Sequence, residues 1–333
     1  MAQTALSDLN FQSAVFKEAF SATFTDQLRI LTQILTPLPD SVVSANEKGK
    51  FVSFPYFNPT SERMQQITSG GTLTPDKLTQ RLDRAAWLEK EIAFASEQIN
   101  MIVAGQDPTE EAAIQLGTVL AKEVQYATIA VLTGITTTAL LNSHVLDDSS
   151  NTISETKLLE AKLKLGDRAD DLRTFLGNSK VTGDMLTKKI AIEAGANVNA
   201  FESGMVGRAL GMNVYSEDAF TANSGVYSSY LVAPGAVGYK FRNRPQQSYS
   251  SANVVRIQTP NGLIAEFEVS RSPLDSGGVD NLIMRSSFIV HPAGMQFTDA
   301  TANPSDTDLA TGSNWTKAAS DNKLIKVVQY KSL

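Results

Sequence analysis

Residues 107–134, DPTEEAAIQLGTVLAKEVQYATIAVLTG, constrain the fold of this chain more than any other segment, because their pattern is that of one long helix. Asp107 can cap the first turn. Pro108 suits the first helical position, where its missing N–H costs nothing, and Glu110 and Glu111 lie against the positive end of the helix dipole. Ala113, Leu116, Leu120, Val124, Ala127 and Val131 recur at steps of three and four and form one apolar stripe. Gly134 is placed to stop the helix in the left-handed conformation. Such a helix would be about 40 Å long, a strut on which other elements must be laid.

Residues 1–36 read as a weakly amphipathic helical arm. Phe11, Val15, Phe16, Ala19, Phe20, Phe24, Leu28, Leu31 and Leu35 fall near one face, and Pro37 and Pro39 end the helix. An aromatic stripe on a terminal segment needs a surface to cover it, either the chain's own core or a neighbouring subunit. Phe16, Phe20 and Phe24 are the candidate contacts. In residues 46–80, FVSFPYF reads as a strand that Pro55 confines to an edge or an unpaired extension. The long run after it, with Pro59, Gly70, Gly71 and Pro75, cannot bury much of its own surface, and loops of this kind are usually functional or partner-bound. A two-stranded loop laid on a neighbour would account for it, with Phe54, Tyr56 and Phe57 as candidate contacts.

Beyond the long helix, 135–157 reads as a polar connection, with a turn at 147–151. Then come a short helix ended at Gly166, a buried strand LRTFLGN and a helix capped by Ser179. RALGMNVYSED, SSYLVAPGAVGYKF and much of 250–297 read as strands, and NKLIKVVQY as a last one.

Chemistry is hard to place on this sequence. It has no cysteine, which removes disulfides, thiolate metal sites and thiol nucleophiles and fits a reducing cytoplasm. Of the two histidines, His144 lies near Asp147 and Asp148 in a polar stretch, and His291 follows an apolar strand, where a backbone hydrogen bond is its ordinary role. The glycine pairs Gly204/Gly207 and Gly235/Gly238 lack a dinucleotide fingerprint, and no phosphate-cradling Gly-Lys-Ser/Thr loop occurs. No catalytic, cofactor-binding or metal-ligating residue is expected. A formal net charge of −6, with no basic run beyond Lys188-Lys189, argues against a nucleic-acid reader. The first twenty residues do not have the form of a signal peptide, and no apolar run is long enough to span a membrane.

Several collinear segments carry a resemblance. They begin with Arg84-Ala85-Ala86-Trp87, Gly105-Gln106-Asp107-Pro108 and Leu132-Thr133-Gly134 around the long helix. AKLKLGD at 161–167, LRTFLGNS at 172–179 and Leu186-Thr187-Lys188 follow, then Leu210 to Val214, Glu217-Asp218 and Tyr227 to Leu231. The last run joins Phe288 to Gly294, Pro304, Leu309 and Asn314-Trp315 with Lys323 to Val328. In this order they resemble the coat-protein family of tailed double-stranded DNA phages with the Hong Kong 97-type fold; Asn178 stands where that family usually has histidine.

The resemblance implies an α+β fold with an N-terminal arm (1–45) and an extended loop (46–80). It further implies a peripheral domain with a spine helix (81–157, helix about 107–134), an axial domain (158–283) and a return to the peripheral domain (284–333). It implies a major capsid protein that self-associates into hexamers and pentamers and builds the icosahedral head. The head would enclose DNA without sequence-specific binding, with no cofactor and no membrane. Expected partners are a portal, a decoration or cement protein and, because only about 45 residues precede the loop, a separate scaffolding protein. The expected location is the virion head, assembled in the host bacterial cytoplasm. The alternatives are an encapsulin-like compartment shell and an α/β enzyme with an unrecognised site. Removing 1–36 is expected to leave a soluble folded core that no longer assembles correctly.

Overall fold

The computed structural model describes residues 14–28, 33–45, 48–57, 64, 66, 80–95, 108–193, 205–243, 254–259, 262–272 and 279–333. The arm supplies helix α1 (Ala14–Gln27) and a short strand β1 (Leu35–Pro37). The helix therefore ends well before Pro37, and Leu35 lies in a strand; Phe11, Leu31 and the capping residue Asp107 fall outside the described residues. Pro37 is tolerated because β1 is an edge strand. Strands β2 (Phe51–Phe57) and β3 (Gln80–Ala86) form an antiparallel ribbon, and β4 (Leu88–Ala95) follows after the single residue Trp87.

The spine helix α2 (Pro108–Thr137) has 30 residues, about 45 Å. It runs past Gly134, so this glycine is not a stop. A Cβ there would lie 2.1 Å from the Leu309 carbonyl oxygen and 2.7 Å from Trp315 Nε1. The glycine permits close packing, a role that looks the same in sequence as a helix end. The expected polar connection is also more ordered than its composition indicates, containing α3 (Leu141–His144) and β5 (Val145–Asp147). Next are α4 (Glu155–Lys162), a 3-10 run kinked at Gly166, β6 (Thr174–Gly177) and α5 (Ser179–Thr187). The N-cap of α5 is Asn178, one residue earlier than expected: its side chain accepts the Lys180 N–H at 3.0 Å.

The strands that follow are β7 (Ile192–Glu193), β8 (Met205–Ala209), β9 (Met212–Ser216), β10 (Tyr227–Val232), β11 (Val237–Phe241), β12 (Val254–Thr259), β13 (Gly262–Ser272), β14 (Val279–Pro292) and β15 (Met295–Phe297). The chain closes with α6 (Asp306–Ala310), β16 (Trp315–Lys317) and β17 (Val327–Ser332). α6 begins with a capping box, in which Ser305 and Asp308 satisfy each other's backbone N–H groups.

Two large sheets organise most of these strands, and β15 pairs with β16 as β2 does with β3. The seven-stranded sheet has the order β5-β17-β10-β6-β9-β8-β7. Its central strands are buried on both faces, which explains their continuous apolar runs. Phe175, Val214, Leu231 and Val328 meet α4 and α5, while Leu176, Tyr230, Val232 and Val327 join the core around α2. The six-stranded sheet has the order β1-β11-β14-β13-β12, with β4 also on β14. Here the faces differ. Val255, Phe267, Met284 and Ile92 lie in register across four strands and pack in the α1–α2 core. One residue along, Arg256, Glu266, Arg285 and Glu91 form a charged row on the other face.

Sheet membership cuts across the expected domain limits. The 283/284 boundary falls inside β14, a single strand. β11, β12 and β13, expected in the axial segment, pair with β14 in the sheet that also holds β4. β17, expected to return to the peripheral domain, lies between β5 and β10 in the other sheet. Within SSYLVAPGAVGYKF a turn with Gly235 at φ 76° sends β10 to one sheet and β11 to the other. Periodicity reports a strand and its buried face, but not its partner.

Candidate interface site: the ribbon and its base

Among the described residues β2 pairs with β3 alone, from Phe51 opposite Ala86 to Phe57 opposite Gln80. A two-stranded ribbon is marginal in water by itself, so its base is informative. Trp87, 1% exposed, is the elbow between ribbon and sheet. Its backbone N–H donates to the Lys50 carbonyl at 3.1 Å. The Arg242 guanidinium lies 4.8 Å from the Trp87 ring centre. Arg242, itself buried, donates from Nη1 to the Gly49 carbonyl at 2.7 Å and from Nε to Ser287 Oγ at 3.0 Å, and is ion-paired with Glu89.

Further along β3, the Asp83 side chain is fully buried. Its Oδ2 accepts the Gly294 N–H at 2.9 Å, and Arg81 Nε lies 3.5 Å from Oδ1. Burial raises its pKa above the usual carboxylate value, against the opposing pull of the Gly294 N–H and Arg81. Arg84 stacks over the Phe51 ring at 3.8 Å and donates to the Asp299 carbonyl at 3.3 Å. Asn303 and Glu89 exchange two hydrogen bonds, at 2.7 and 3.1 Å. Lys90 pairs with Asp306 at 3.0 Å and Glu123 at 3.2 Å. Arg242 and Asp83 were not singled out in the sequence. The available signal was a charge inside an apolar strand, in GYKFR and in LDRAAW.

Phe16 and Phe20 are 0% exposed, and Phe24 is buried. The first two meet the Phe267 ring edge-on at 5.1 and 5.3 Å, and Phe24 meets Phe241 at 5.7 Å. These three residues therefore cover the chain's own core and are withdrawn as subunit contacts. The helices approach closely because α2 has Gly117 at the crossing, where a Cβ would stand 3.0 Å from the Phe20 carbonyl. Phe54, Tyr56 and Phe57 lie on β2 of the ribbon.

His144 is buried, not in a polar loop. Its Nε2 donates to the Asn322 and Ile325 carbonyls, each at 3.0 Å, so Nδ1 accepts from Ser143 Oγ at 2.7 Å. Burial lowers its pKa. His291 is buried beside Trp315, with its pKa pushed down to about 3 by burial, and it hydrogen-bonds the Met295 backbone. Among the described residues no group of three or more His, Asp or Glu side chains could hold a metal ion, and no helix is long and apolar enough to cross a membrane. A groove of about 250 Å³ between α2 and β4 is lined by Lys90, Ile92, Val119, Leu120, Glu123 and Met284.

Comparison with known proteins places this geometry. The fold is that of tailed-phage capsid proteins of the Hong Kong 97 type. It is similar to a solved chain of the cyanophage A-1(L) capsid asymmetric unit, with TM-score 0.54 and 10% identity over 100% of this chain and 95% of that one. It is also similar to one from Microbacterium phage Oxtober96, with TM-score 0.53 and 10% identity over 92% and 90% of the two chains. The family described as Gp13-like, "Major capsid protein 13-like", matches residues 42–236, and the chain belongs to that family. It is also 26% identical to the major capsid protein of Bacillus phage SPP1, over 99% of this chain and 98% of that protein. The chain is a phage shell subunit, and its family is structural.

Proposed function

We propose that this capsid protein forms hexamers and pentamers in which the ribbon of each protomer lies on a neighbour, with Phe54, Tyr56 and Phe57 as contact residues. The observation that carries this reading is a two-stranded ribbon whose first strand, β2, pairs among the described residues with no strand but β3. Such a ribbon gains what its own pairing lacks by burying one face on another protomer. Contacts that are modest singly become strong through multiplicity in a closed shell. In this reading the seven-stranded unit is the axial domain, and the six-stranded sheet with α2 is the peripheral one. The acidic balance fits a container that encloses DNA without gripping it. A separate scaffolding protein, a portal and a decoration or cement protein complete the proposal, with assembly in the host bacterial cytoplasm and no catalytic role.

Electron microscopy tests it. Co-expression with the phage's scaffolding protein should give closed particles, and replacing Phe54, Tyr56 and Phe57 together by serine should leave protomers or isolated rings. Wild-type particles from this triple variant would contradict the contact role of the ribbon. Uniform shells from the chain alone would contradict the need for scaffolding.

A further inference from the structure

We propose that Arg242 and Asp83 are positioning residues for assembly, which together fix the direction in which the ribbon leaves the six-stranded sheet. This rests on the reading that the ribbon reaches a neighbour.

A segment held at one point can pivot; one held at two points cannot. The first point is the elbow, where Arg242 joins Gly49 at the foot of β2, Glu89 on β4 and Ser287 on β14, and covers Trp87. The second is Asp83, which binds the turn between β14 and β15 through the Gly294 N–H. Asp83 lies four residues up the strand from Trp87, about 13 Å away, so the two points define a line. That turn has little freedom. Gly294 has φ 84°, and a Cβ on it would stand 3.1 Å from both Ala319 and Ile325. Arg84 adds a hold between the two points through Asp299. The far end of the described ribbon, at Gln80, lies about 23 Å from the elbow along the strand. A small tilt at the base becomes a displacement of several ångströms where a neighbour would be met.

The chemistry also fits positioning better than stability. A buried guanidinium and a buried carboxylate are costly to desolvate, and replacing such groups by apolar ones is often neutral or stabilising. What they supply is one arrangement among the several that apolar contacts would allow.

The full-length chain with Arg242→Met, Asp83→Ala and Asp83→Asn tests this, with hydrogen exchange and particle size as readouts. Met fills the space over Trp87 without the hydrogen bonds, and Asn can still accept the Gly294 N–H. For the first two variants, exchange at 51–57 and 80–86 should accelerate on the order of tenfold, as for loss of one charge-assisted hydrogen bond from a local opening. Exchange in α2 and the seven-stranded sheet should stay unchanged, and the particles should spread in diameter or remain open. Asp83→Asn should show no acceleration of exchange and should build particles of wild-type size. Equal acceleration throughout the molecule would overturn the proposal in favour of a general stability role. Uniform wild-type particles from both breaking variants would also overturn it. Should Arg242→Met be insoluble, the Asp83 pair decides by the same outcomes. If replacing Phe54, Tyr56 and Phe57 stops assembly while the clamp variants build normal shells, the clamp alone fails. If that triple variant builds normal shells, the ribbon reading itself fails.

Discussion

Trp315 Nε1 donates to the Leu309 carbonyl at 2.7 Å, directly above Gly134. A methyl group at Gly134 would strike both partners, and neither can withdraw without breaking that bond. Gly134→Ala should therefore cost about 3 kcal/mol, measured as a lower midpoint of denaturant unfolding. Gly183 in α5 is the contrasting case, with nothing within 4 Å of a Cβ. Gly183→Ala should gain about 0.5–1 kcal/mol. The buried histidines give acid sensitivity. Both have folded pKa values below 6.5, and His291 is held at about 3. The unfolded chain thus takes up protons that the folded chain refuses. Their contribution is complete above pH 6.5 and falls with decreasing pH; for His291, held at about 3, the fall is about 1.4 kcal/mol per pH unit. Urea unfolding between pH 7 and 5 should show the loss, and His291→Leu should remove that histidine's share of it. Asp83 has the opposite sign, because burial raises its pKa. Its contribution is fully present below the ordinary carboxylate value of 3.8 and is lost as pH rises through the raised one. Asp83→Asn should therefore raise stability at pH 7 and change it little near pH 3.

At the scale of elements, α1 is part of the core. Phe20 is fully buried between α2 and Phe267, so Phe20→Ala should cost about 3–5 kcal/mol. Removal of 1–36 would uncover Phe267 and Phe241 and strip part of β1 from β11. The expectation of a soluble core after that deletion is therefore reversed: sedimentation should show aggregated protein. Elements were legible in the sequence where one face is buried continuously. The stripe from Ala113 to Val131 gave α2, while the loop expected around Pro59, Gly70, Gly71 and Pro75 lies outside the described residues. Less legible was anything set by a distant partner. The phenylalanines of α1 formed a stripe, but nothing local said which surface they cover. Arg242 and Asp83 carry the ribbon base through contacts with residues remote in sequence, and no spacing rule reports those.

Over the whole molecule, the two sheets share one spine. Tyr230, fully buried in the seven-stranded sheet, has its hydroxyl 3.3 Å from Thr133 Oγ1 on α2 and accepts from Gln329 Nε2 of β17 at 3.2 Å. Cutting the chain after Lys326 would remove β17 from between β5 and β10 and leave both without that neighbour. Circular dichroism and limited proteolysis of that variant should show loss of the folded state, well beyond a local defect. The position of β17 also has a consequence in time. It is synthesised after every other strand of its sheet, yet it fills a gap between two of them. A polypeptide whose translation stops early, or that loses this stretch to a protease, never closes the sheet and offers its neighbours no finished surface. A fragment ending before β17 would be unable to complete the sheet, because the strand that fills the gap is made after its six sheet partners.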